Sequence, residues 1–225
     1  MLMCGVYCCC LLFKGQVLGG RWKPLQYWYR STIYTDVMAT CGNGGNSTDT
    51  DTGAPLCYVN NDLPVPFKGS VAITAIDFAS GKETELKAMK LDMAAGVGVT
   101  QRFSLDAAVD GTTTIVHAVV KDAAGTVVNN NYIPFTEPKN MKLPKADVKF
   151  TVASAANPDG SVDITVTTDK VALYVTFTTL AQGRFSDNAF VMVPGTQKIQ
   201  FLPIKGFAMA DLTGSLRVEH AAVYM

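Results

Sequence analysis

The feature that most constrains the fold of this chain is a series of short segments in which apolar and polar residues alternate. Alternation with a period of two places the apolar side chains on one face of a β-strand. The segments recur at regular spacing and are separated by turn residues such as Asn157-Pro158-Asp159-Gly160. This pattern is typical of antiparallel β-sandwiches. Examples are residues 57–62, 69–78, 86–91, 161–169, 171–180, 196–203 and 214–224.

The length and the composition allow two such sandwiches. The 225 residues are 48% hydrophobic and 17% charged, which is a globular composition, and they can form two domains of roughly 100 residues each. Residues 136–146 carry two prolines and three lysines, so we expect the two sandwiches to join near residue 140. No segment has a long helical pattern, a glycine-rich phosphate loop or a nucleophile elbow. The predicted fold class is therefore all-β.

One aromatic-rich stretch, residues 19–34, departs from the β pattern. Trp22, Leu25, Trp28 and Tyr29 recur at helical spacing, and Pro24 suits a first helical turn. We therefore predict a short helix with one strongly apolar face. That face packs either on this chain or on a larger domain upstream. The aromatic group of Trp22, Tyr27, Trp28 and Tyr29 is also a candidate platform for sugar stacking, although the helical spacing favours a packed face.

The six cysteines do not predict a metal site. Cys4, Cys8, Cys9 and Cys10 crowd the start of the chain, and three adjacent cysteines cannot all face one tetrahedral ion. Residues 39–55 have no periodicity and are predicted to form a loop rich in Gly, Asn, Ser and Thr. Cys41 and Cys57 flank its Gly-rich part, and they either form a disulfide or are two free buried thiols. In the same loop, Asn46-Ser47-Thr48 is a sequon for glycosylation, which would matter only in the secretory pathway.

The charge balance argues against nucleic acid or a membrane as a partner. Lys plus Arg and Asp plus Glu each number 19, so the formal net charge is zero. The apolar opening of about a dozen residues is too short to span a bilayer, and it lacks the basic region and the cleavage site of a signal peptide. The chain has only two histidines, His117 and His220, so it has few candidates for a histidine metal ligand or general base. We expect no cofactor and no metal.

A glycosidase acid pair needs two carboxylates that face each other across a cleft. The candidate carboxylates lie beside predicted turns or on the solvent faces of predicted strands, so we interpret them as solvated surface groups and assign no catalytic residue. They are Asp62, Asp77, Glu83, Asp92, Asp106, Asp163 and Asp187.

A cluster of polar residues interrupts the alternation at residues 183–190, which read GRFSDNAF. Asp187 and Asn188 are strong turn formers because their short side chains bond nearby backbone amides. Arg184 can hold the bend, and Phe185 and Phe190 can enter the core on either side. A structural turn is the favoured interpretation, with a ligand contact by Arg184 or Asp187 as the alternative.

Two of these stretches resemble one family. RWKPLQYWYRSTIY, preceded by Gly20, is similar to the segment that leaves the catalytic barrel in β-mannosidases of glycoside hydrolase family 2. GRFSDNAF resembles a signature of the last immunoglobulin-like domain of those enzymes, in which a Gly usually stands at the position of Ala189. The Ala suggests that this position need not take a positive φ. The motifs occur in the family's order, and the resemblance covers residues 17–225.

The resemblance implies three parts: residues 1–36 as the end of a (β/α)8 barrel with one helix, residues 37–140 as a first immunoglobulin-like sandwich, and residues 141–225 as a second. In the family, two barrel glutamates carry out a retaining reaction on terminal β-mannose. No glutamate occurs here before Glu83, so we expect the chain alone to be inactive. The implied partners are the missing barrel and a mannose-containing glycan, and the implied location is lysosomal, vacuolar or secreted.

A different hypothesis is a free-standing carbohydrate-binding or adhesive β-sandwich protein. Under either hypothesis the motif residues Arg184, Asp187 and Asn188, together with Trp22 and Trp28, are candidates for a structural role or a glycan contact.

Overall fold

The computed structural model describes residues 17–18, 21–42, 54–96, 98–204 and 206–225. The chain divides into two compact units. We call residues 30–143 the central unit, and residues 1–29 together with 144–225 the carboxy-terminal unit. Both are built from antiparallel strands, so the prediction of an all-β fold is confirmed.

The central unit is a sandwich of two antiparallel sheets. Its strands are β3 (Val37–Cys41), β4 (Leu56–Asn61), β5 (Phe67–Asp77), β6 (Glu83–Met93), β7 (Val99–Ser104), β8 (Thr114–Asp122) and β9 (Val127–Ile133). One sheet has the order β3-β4-β7 and the other β6-β5-β8-β9. Apolar side chains of both sheets, such as Val59 and Ile73, belong to one buried cluster. The alternation seen in the sequence places them there, because every second residue of a strand faces the same side.

Buried asparagines join the edges of the two sheets in the central unit. The Asn129 side chain accepts a hydrogen bond from the Ala39 backbone N–H (3.0 Å), and it donates to the Thr32 carbonyl oxygen (3.1 Å). The Asn131 side chain donates to the Ala39 carbonyl oxygen (2.9 Å). These carboxamides occupy the backbone groups of the edge strand β3, which would otherwise lie unpaired.

Cys41 and Cys57 form a disulfide. They lie directly opposite each other on β3 and β4, so of the two alternatives the structure has the bridge rather than free thiols.

Residues 39–41 were expected to belong to a loop that extends to residue 55, and that boundary is wrong. Val37, Ala39 and Cys41 face the core, because alternation begins before the Gly-rich part of the segment. The sequon residue Asn46 and Cys4, Cys8, Cys9 and Cys10 lie outside the described residues.

The carboxy-terminal unit is a second sandwich. Its strands are β10 (Lys149–Val152), β11 (Val162–Thr168), β12 (Ala172–Thr178), β13 (Gly183–Phe185), β14 (Phe190–Met192), β15 (Gly195–Pro203) and β16 (Arg217–Glu219). The sheets have the orders β10-β11-β15-β13 and β14-β12-β16, and a short ladder pairs β1 (Val17–Leu18) with β2 (Arg21–Trp22). The predicted turn at residues 157–160 joins β10 to β11, and Gly160 there has a φ of +85°.

Two α-helices occur in the described residues, together with 3-10 turns at Pro138–Asn140 and Ala221–Tyr224. Helix α1 spans Pro24–Thr32 and helix α2 spans Met209–Ser215. The predicted start at Pro24 is confirmed, but Trp22 is not helical: it lies in β2, opposite Val17. Pro24 disfavours helical backbone at the residue before it, Lys23, so the helix does not extend back to Trp22. Residues 214–224 were predicted as a strand. Helix α2, which buries Leu212, instead occupies the first of them, and only Arg217–Glu219 is extended.

Tyr27 of α1 lies in the hydrophobic core of the carboxy-terminal unit. Its side chain is 3% exposed and packs in the same cluster as Phe177, Phe185 and Phe201. The apolar face of the helix was expected to pack either on this chain or on an upstream domain, and at Tyr27 it packs on this chain.

Candidate functional site

The motif at residues 183–190 is organised by one buried carboxamide, that of Asn188. Its Oδ1 accepts hydrogen bonds from the backbone N–H groups of Phe177 (2.7 Å) and Ala189 (3.0 Å), and its Nδ2 donates to the Phe177 carbonyl oxygen (2.9 Å). Asn188 is 2% exposed. The side chain thus replaces a strand neighbour for Phe177 in β12 and holds the turn against that strand.

Asp187 and Ala189 complete the turn on either side. Asp187 Oδ1 accepts a hydrogen bond from the Asn188 backbone N–H (2.8 Å). Ala189 has a φ of +55°, so the expectation that this position need not take a positive φ is wrong. The three Asn188 side-chain hydrogen bonds require the backbone to bend there, and Ala tolerates the left-handed region at a cost of about 1–2 kcal/mol.

Gly183 and Phe185 place β13 close to its neighbours. A Cβ atom on Gly183 would lie 2.3 Å from a ring carbon of Phe201 and 2.7 Å from the Leu202 carbonyl oxygen. The Phe185 backbone N–H donates a hydrogen bond to the Tyr27 hydroxyl (3.1 Å). The first residues of the motif are therefore constrained by β15 on one side and by helix α1 on the other.

A cleft of about 240 Å³ opens between α1 and this motif. Helix α1 and the residue before it contribute Lys23, Pro24 and Tyr27. The end of β12 and the residue after it contribute Phe177–Thr179, and the motif contributes Gly183–Phe185 and Asn188. Lys23 and Arg184 are exposed, whereas the aromatic side chains form a buried floor. Among the residues that line the cleft, the only ionised groups are these two cations.

A second cleft, of about 370 Å³, adjoins the first at Thr178 and Thr179. Arg217 and Leu180 line it, and Leu180 is 78% exposed. Cationic and hydroxyl groups along both clefts favour electronegative ligand atoms, such as hydroxyl or carboxylate oxygens. The lining has no carboxylate, imidazole or thiol, so the arrangement is suited to binding and does not contain the carboxylate pair of a glycosidase.

The candidate carboxylates have structural contacts. Asp77 Oδ1 accepts hydrogen bonds from the Ser80 backbone N–H (2.8 Å) and hydroxyl (2.6 Å), which lower the pKa of Asp77. Asp163 accepts hydrogen bonds from the side chains of Gln200 and Asn157, both at 2.9 Å, and these lower its pKa. The remaining contacts join Asp62 to the Gly98 N–H, Asp92 to Lys68, and Asp106 to Lys87. Each of these carboxylates holds a turn or a strand pair.

The two histidines have different surroundings. His117 Nε2 lies 2.6 Å from Asn130 Oδ1, and the ring stacks on Tyr132 at 4.3 Å. His220 is 8% exposed, and burial lowers its pKa although a hydrogen bond to the Ala146 backbone acts in the opposite direction. Its Nδ1 has no partner among the described residues. Neither ring lies in the two clefts of the carboxy-terminal unit.

The structure brings some predicted site residues together and separates others. Arg184 and Asn188 line the same cleft. Asp187 does not line it, but its carboxylate accepts a hydrogen bond from the Asn188 backbone N–H. Trp28 instead packs edge-on against Tyr174, with ring centroids 5.1 Å apart. Tyr174 has a φ of +56° at an irregularity of β12. The side chain of Trp22 lies outside the described residues.

Sequence reasoning missed the contributions of Lys23, Thr178 and Thr179 to the cleft. Tyr27 and Phe185 are 158 positions apart, and no local pattern reports that they meet. The sequence contains only an indirect indication of this cleft: the two segments that line it are the two that carry the family resemblance.

The described residues also bear on metal sites and membrane spans. No group of three or more His, Cys, Asp or Glu side chains there is arranged to hold a metal ion. No helix among those residues has the length and apolar character needed to cross a membrane.

A comparison with protein families identifies part of the chain. Residues 143–222 match the family model Ig_mannosidase, which describes an Ig-fold domain. The match covers most of the carboxy-terminal unit and includes the motif at residues 183–190. No curated protein matches the sequence.

Solved structures extend the likeness to both units. A β-D-mannosidase from Dictyoglomus thermophilum aligns with a TM-score of 0.62 and 19% identity over 88% of this chain and 23% of that protein. The exo-chitosanase CsxA from Amycolatopsis orientalis aligns with a TM-score of 0.50 and 17% identity over 87% of this chain and 26% of that protein. This chain thus spans about a quarter of each enzyme, and at these identities the likeness establishes the fold. Together the findings show that residues 143–222 match the model of an Ig-fold domain of the mannosidase type, and that the all-β chain is similar in fold to part of a β-D-mannosidase and of an exo-chitosanase.

Proposed function

We propose that this chain is the accessory, non-catalytic region of a β-mannosidase, an enzyme that hydrolyses terminal β-D-mannose residues of oligosaccharides. One observation carries the proposal. The likeness to the D. thermophilum β-D-mannosidase covers 88% of the chain, so it extends beyond the matched domain at residues 143–222 and into the central unit. The likeness is therefore not confined to a single common domain.

In this role the two sandwiches brace a catalytic barrel and help to shape its glycan cleft. The barrel would supply the two glutamates of a retaining mechanism, one as acid/base and one as nucleophile. The cleft beside the motif contributes binding groups only, namely Lys23 and Arg184 over an aromatic floor. These cations can donate hydrogen bonds to sugar hydroxyls.

The activity assay follows directly. The purified chain should not hydrolyse 4-nitrophenyl β-D-mannopyranoside, because the lining of its clefts offers no acid–base pair. Release of nitrophenol is read by absorbance, and a commercial β-mannosidase serves as the positive control. Turnover that persists after repurification and follows the protein through gel filtration would contradict the proposal.

The genomic sequence upstream of the Met1 codon provides an independent test. We expect an open reading frame there that encodes a catalytic barrel with two glutamates. Unrelated sequence in that region would count against an accessory role, whatever the activity assay shows.

The second candidate function is a free-standing carbohydrate-binding protein. The cation-lined cleft of about 240 Å³ favours it, because a cleft of this size accommodates a small ligand. Binding of mannan oligosaccharides to the isolated chain, lost in Arg184→Ala, would support this function. Trp28→Ala is the matched comparison, since Trp28 packs on Tyr174 and should affect binding only if the helix itself carries the glycan.

The disulfide between Cys41 and Cys57 favours an oxidising compartment for this protein. Structural disulfides persist in oxidising environments, and the bridge joins two adjacent strands of the central unit. We therefore propose a lysosomal, vacuolar or secreted location, which is also the location implied by the family resemblance.

A further inference from the structure

The outer face of the larger sheet in the central unit carries a shallow depression on its two middle strands. Three cross-strand pairs of β5 and β8 line it: Ser70 with Lys121, Ala72 with Val119, and Thr74 with His117. Glu83 of β6 completes the rim. The intervening residues of both strands, such as Ile73 and Ala118, are fully buried in the core, so the strand alternation directs the lining residues away from it.

The depression has a volume of about 260 Å³. It exists because β5 presents three small side chains in succession on this face, those of Ser70, Ala72 and Thr74. The longer side chains of Lys121 and Glu83 border them. From the Ser70 pair to the Thr74 pair the strand advances about 13 Å, since each residue adds about 3.4 Å. The shape is a short trough with an apolar centre and polar ends.

The hydrogen-bonding groups of the trough are of both kinds. Glu83 accepts and Lys121 donates, and within the described part of the chain neither forms an ion pair within 4 Å. His117 Nε2 lies 2.6 Å from the amide oxygen of Asn130. Tyr132 stacks on the same ring, with an interplanar angle of 3°, and so fixes its orientation.

Thr74 adds a further observation. Its hydroxyl oxygen is buried and has no hydrogen-bond partner among the described residues. An unpaired buried hydroxyl costs roughly 1–3 kcal/mol, and such groups often mark a site that another molecule completes.

We propose that this trough is a binding site for a neutral saccharide of one or two sugar rings. A pyranose has an apolar face of C–H groups that fits over Ala72 and Val119, and its hydroxyls both donate and accept. Glu83, Lys121, Ser70 and His117 supply the complementary groups at the ends of the trough. The choice of ligand class rests in part on the proposed function, whereas the site itself is argued from the lining residues.

The lining argues against other occupants. One carboxylate and one ammonium group on the rim disfavour a strongly charged ligand of either sign. A peptide that adds to a sheet needs an unpaired edge, but β5 and β8 are both paired on their two sides. A protein partner that binds by apolar contact needs more apolar surface than Ala72 and Val119 provide.

The test is a titration of the full chain with β-1,4-mannobiose, with N,N′-diacetylchitobiose as a second probe, followed by NMR chemical shifts and calorimetry. We expect shifts of the amides of β5 and β8 near Ala72 and Val119. Ala72→Gln should fill the trough and weaken binding by about tenfold or more, which corresponds to about 1.4 kcal/mol. Lys121→Met should weaken it by about three- to tenfold, because one hydrogen bond is lost.

Ala88→Gln is the matched control. Ala88 is the cross-strand neighbour of Ala72 on β6, and it is exposed but does not line the trough. This variant should bind like the parent chain, and the thermal midpoints of both variants should stay near that of the parent. Absence of binding to both sugars, equal binding by Ala72→Gln and the parent, or shifts confined to Lys23 and Arg184 would each overturn the proposal.

Failure of this inference and failure of the proposed function are distinguishable. If neither sugar binds but a barrel is encoded upstream of Met1, only the saccharide site is lost. If the trough binds sugar and the upstream sequence is unrelated to a glycosidase, the site stands and the accessory role falls.

Discussion

Asn188 shows how one side chain can take the place of a strand. Its carboxamide makes both hydrogen bonds that a neighbouring backbone would offer to Phe177, at 2.7 and 2.9 Å. Only a side chain with a donor and an acceptor in one plane can do this. The position therefore demands Asn for chemical reasons, whether or not a ligand enters the adjacent cleft.

Replacement of Asn188 by Ala should destabilise the carboxy-terminal unit by about 2–4 kcal/mol, because it leaves the Phe177 N–H and carbonyl groups buried and unpaired. Urea unfolding monitored by tryptophan fluorescence measures this change. Asp187→Asn is the matched control, since it keeps an acceptor for the Asn188 N–H and should cost less than about 1 kcal/mol. Equal losses in the two variants would show that the carboxamide has no special role.

His220 should make the stability of the carboxy-terminal unit depend on pH. Burial lowers its pKa in the folded state, so below the unfolded pKa of about 6.5 the unfolded chain binds more protons than the folded chain. Stability must then fall as the pH falls from that value towards the lower folded pKa. We expect the urea midpoint to decrease between pH 7.5 and pH 5, and to decrease less in His220→Gln. An unchanged pH dependence in this variant would refute the assignment.

Among the elements, the short strand β3 is held in place by side-chain contacts as well as by strand pairing. It has five residues and pairs with β4 on one side. On the other side, Asn129 and Asn131 of β9 bond the Ala39 backbone. The disulfide then ties the end of β3 to the start of β4. The edge strand is thereby protected from pairing with another chain.

The Cys41–Cys57 bridge should stabilise the central unit by about 3 kcal/mol, the value expected from the entropy of closing a loop of this size. The two cysteines are separated by 16 positions. We expect a reductant to lower the unfolding midpoint of the parent chain to that of the Cys41→Ala/Cys57→Ala double variant. Mass spectrometry under non-reducing conditions reports the bridge directly. A midpoint that is insensitive to reductant would argue against a structural role for the bridge.

At the scale of the whole molecule, the carboxy-terminal unit is assembled from two distant parts of the chain. The family match begins at residue 143, yet Tyr27 lies in the same hydrophobic core as Phe185 and bonds its backbone. The carboxy-terminal unit therefore needs residues upstream of the matched region in order to fold. Helix α1 supplies both a core residue and one wall of the cleft.

This arrangement predicts the effect of changes at Tyr27. Tyr27→Ala should destabilise the carboxy-terminal unit by about 3–5 kcal/mol, as expected for removing a buried aromatic ring. Tyr27→Phe should cost only about 1–2 kcal/mol, since it removes the acceptor of the Phe185 N–H and keeps the ring. Hydrogen exchange at β13 and β15 would locate the loss. Unchanged protection of these strands in Tyr27→Ala would mean that α1 is not part of the unit.

The sequence by itself determined most of the strands, the start of helix α1 and most turns, because these depend on neighbouring residues. Alternation in residues such as Val162, Ile164 and Val166 predicted both the element and its buried face, and all three are 0% exposed. The start of α1 followed from the fixed φ of Pro24. Family resemblance located the motif, but it did not indicate the positive φ of Ala189.

Only the tertiary structure decided which distant groups meet. The Asn188–Phe177 pair, the Tyr27 hydroxyl under Phe185, and the joint placement of Lys23 and Arg184 all link residues that no local period connects. The trough on β5 and β8 likewise depends on which strands become neighbours. Periodicity reports which face a side chain occupies, whereas the partner across that face is set by the order in which the strands pack.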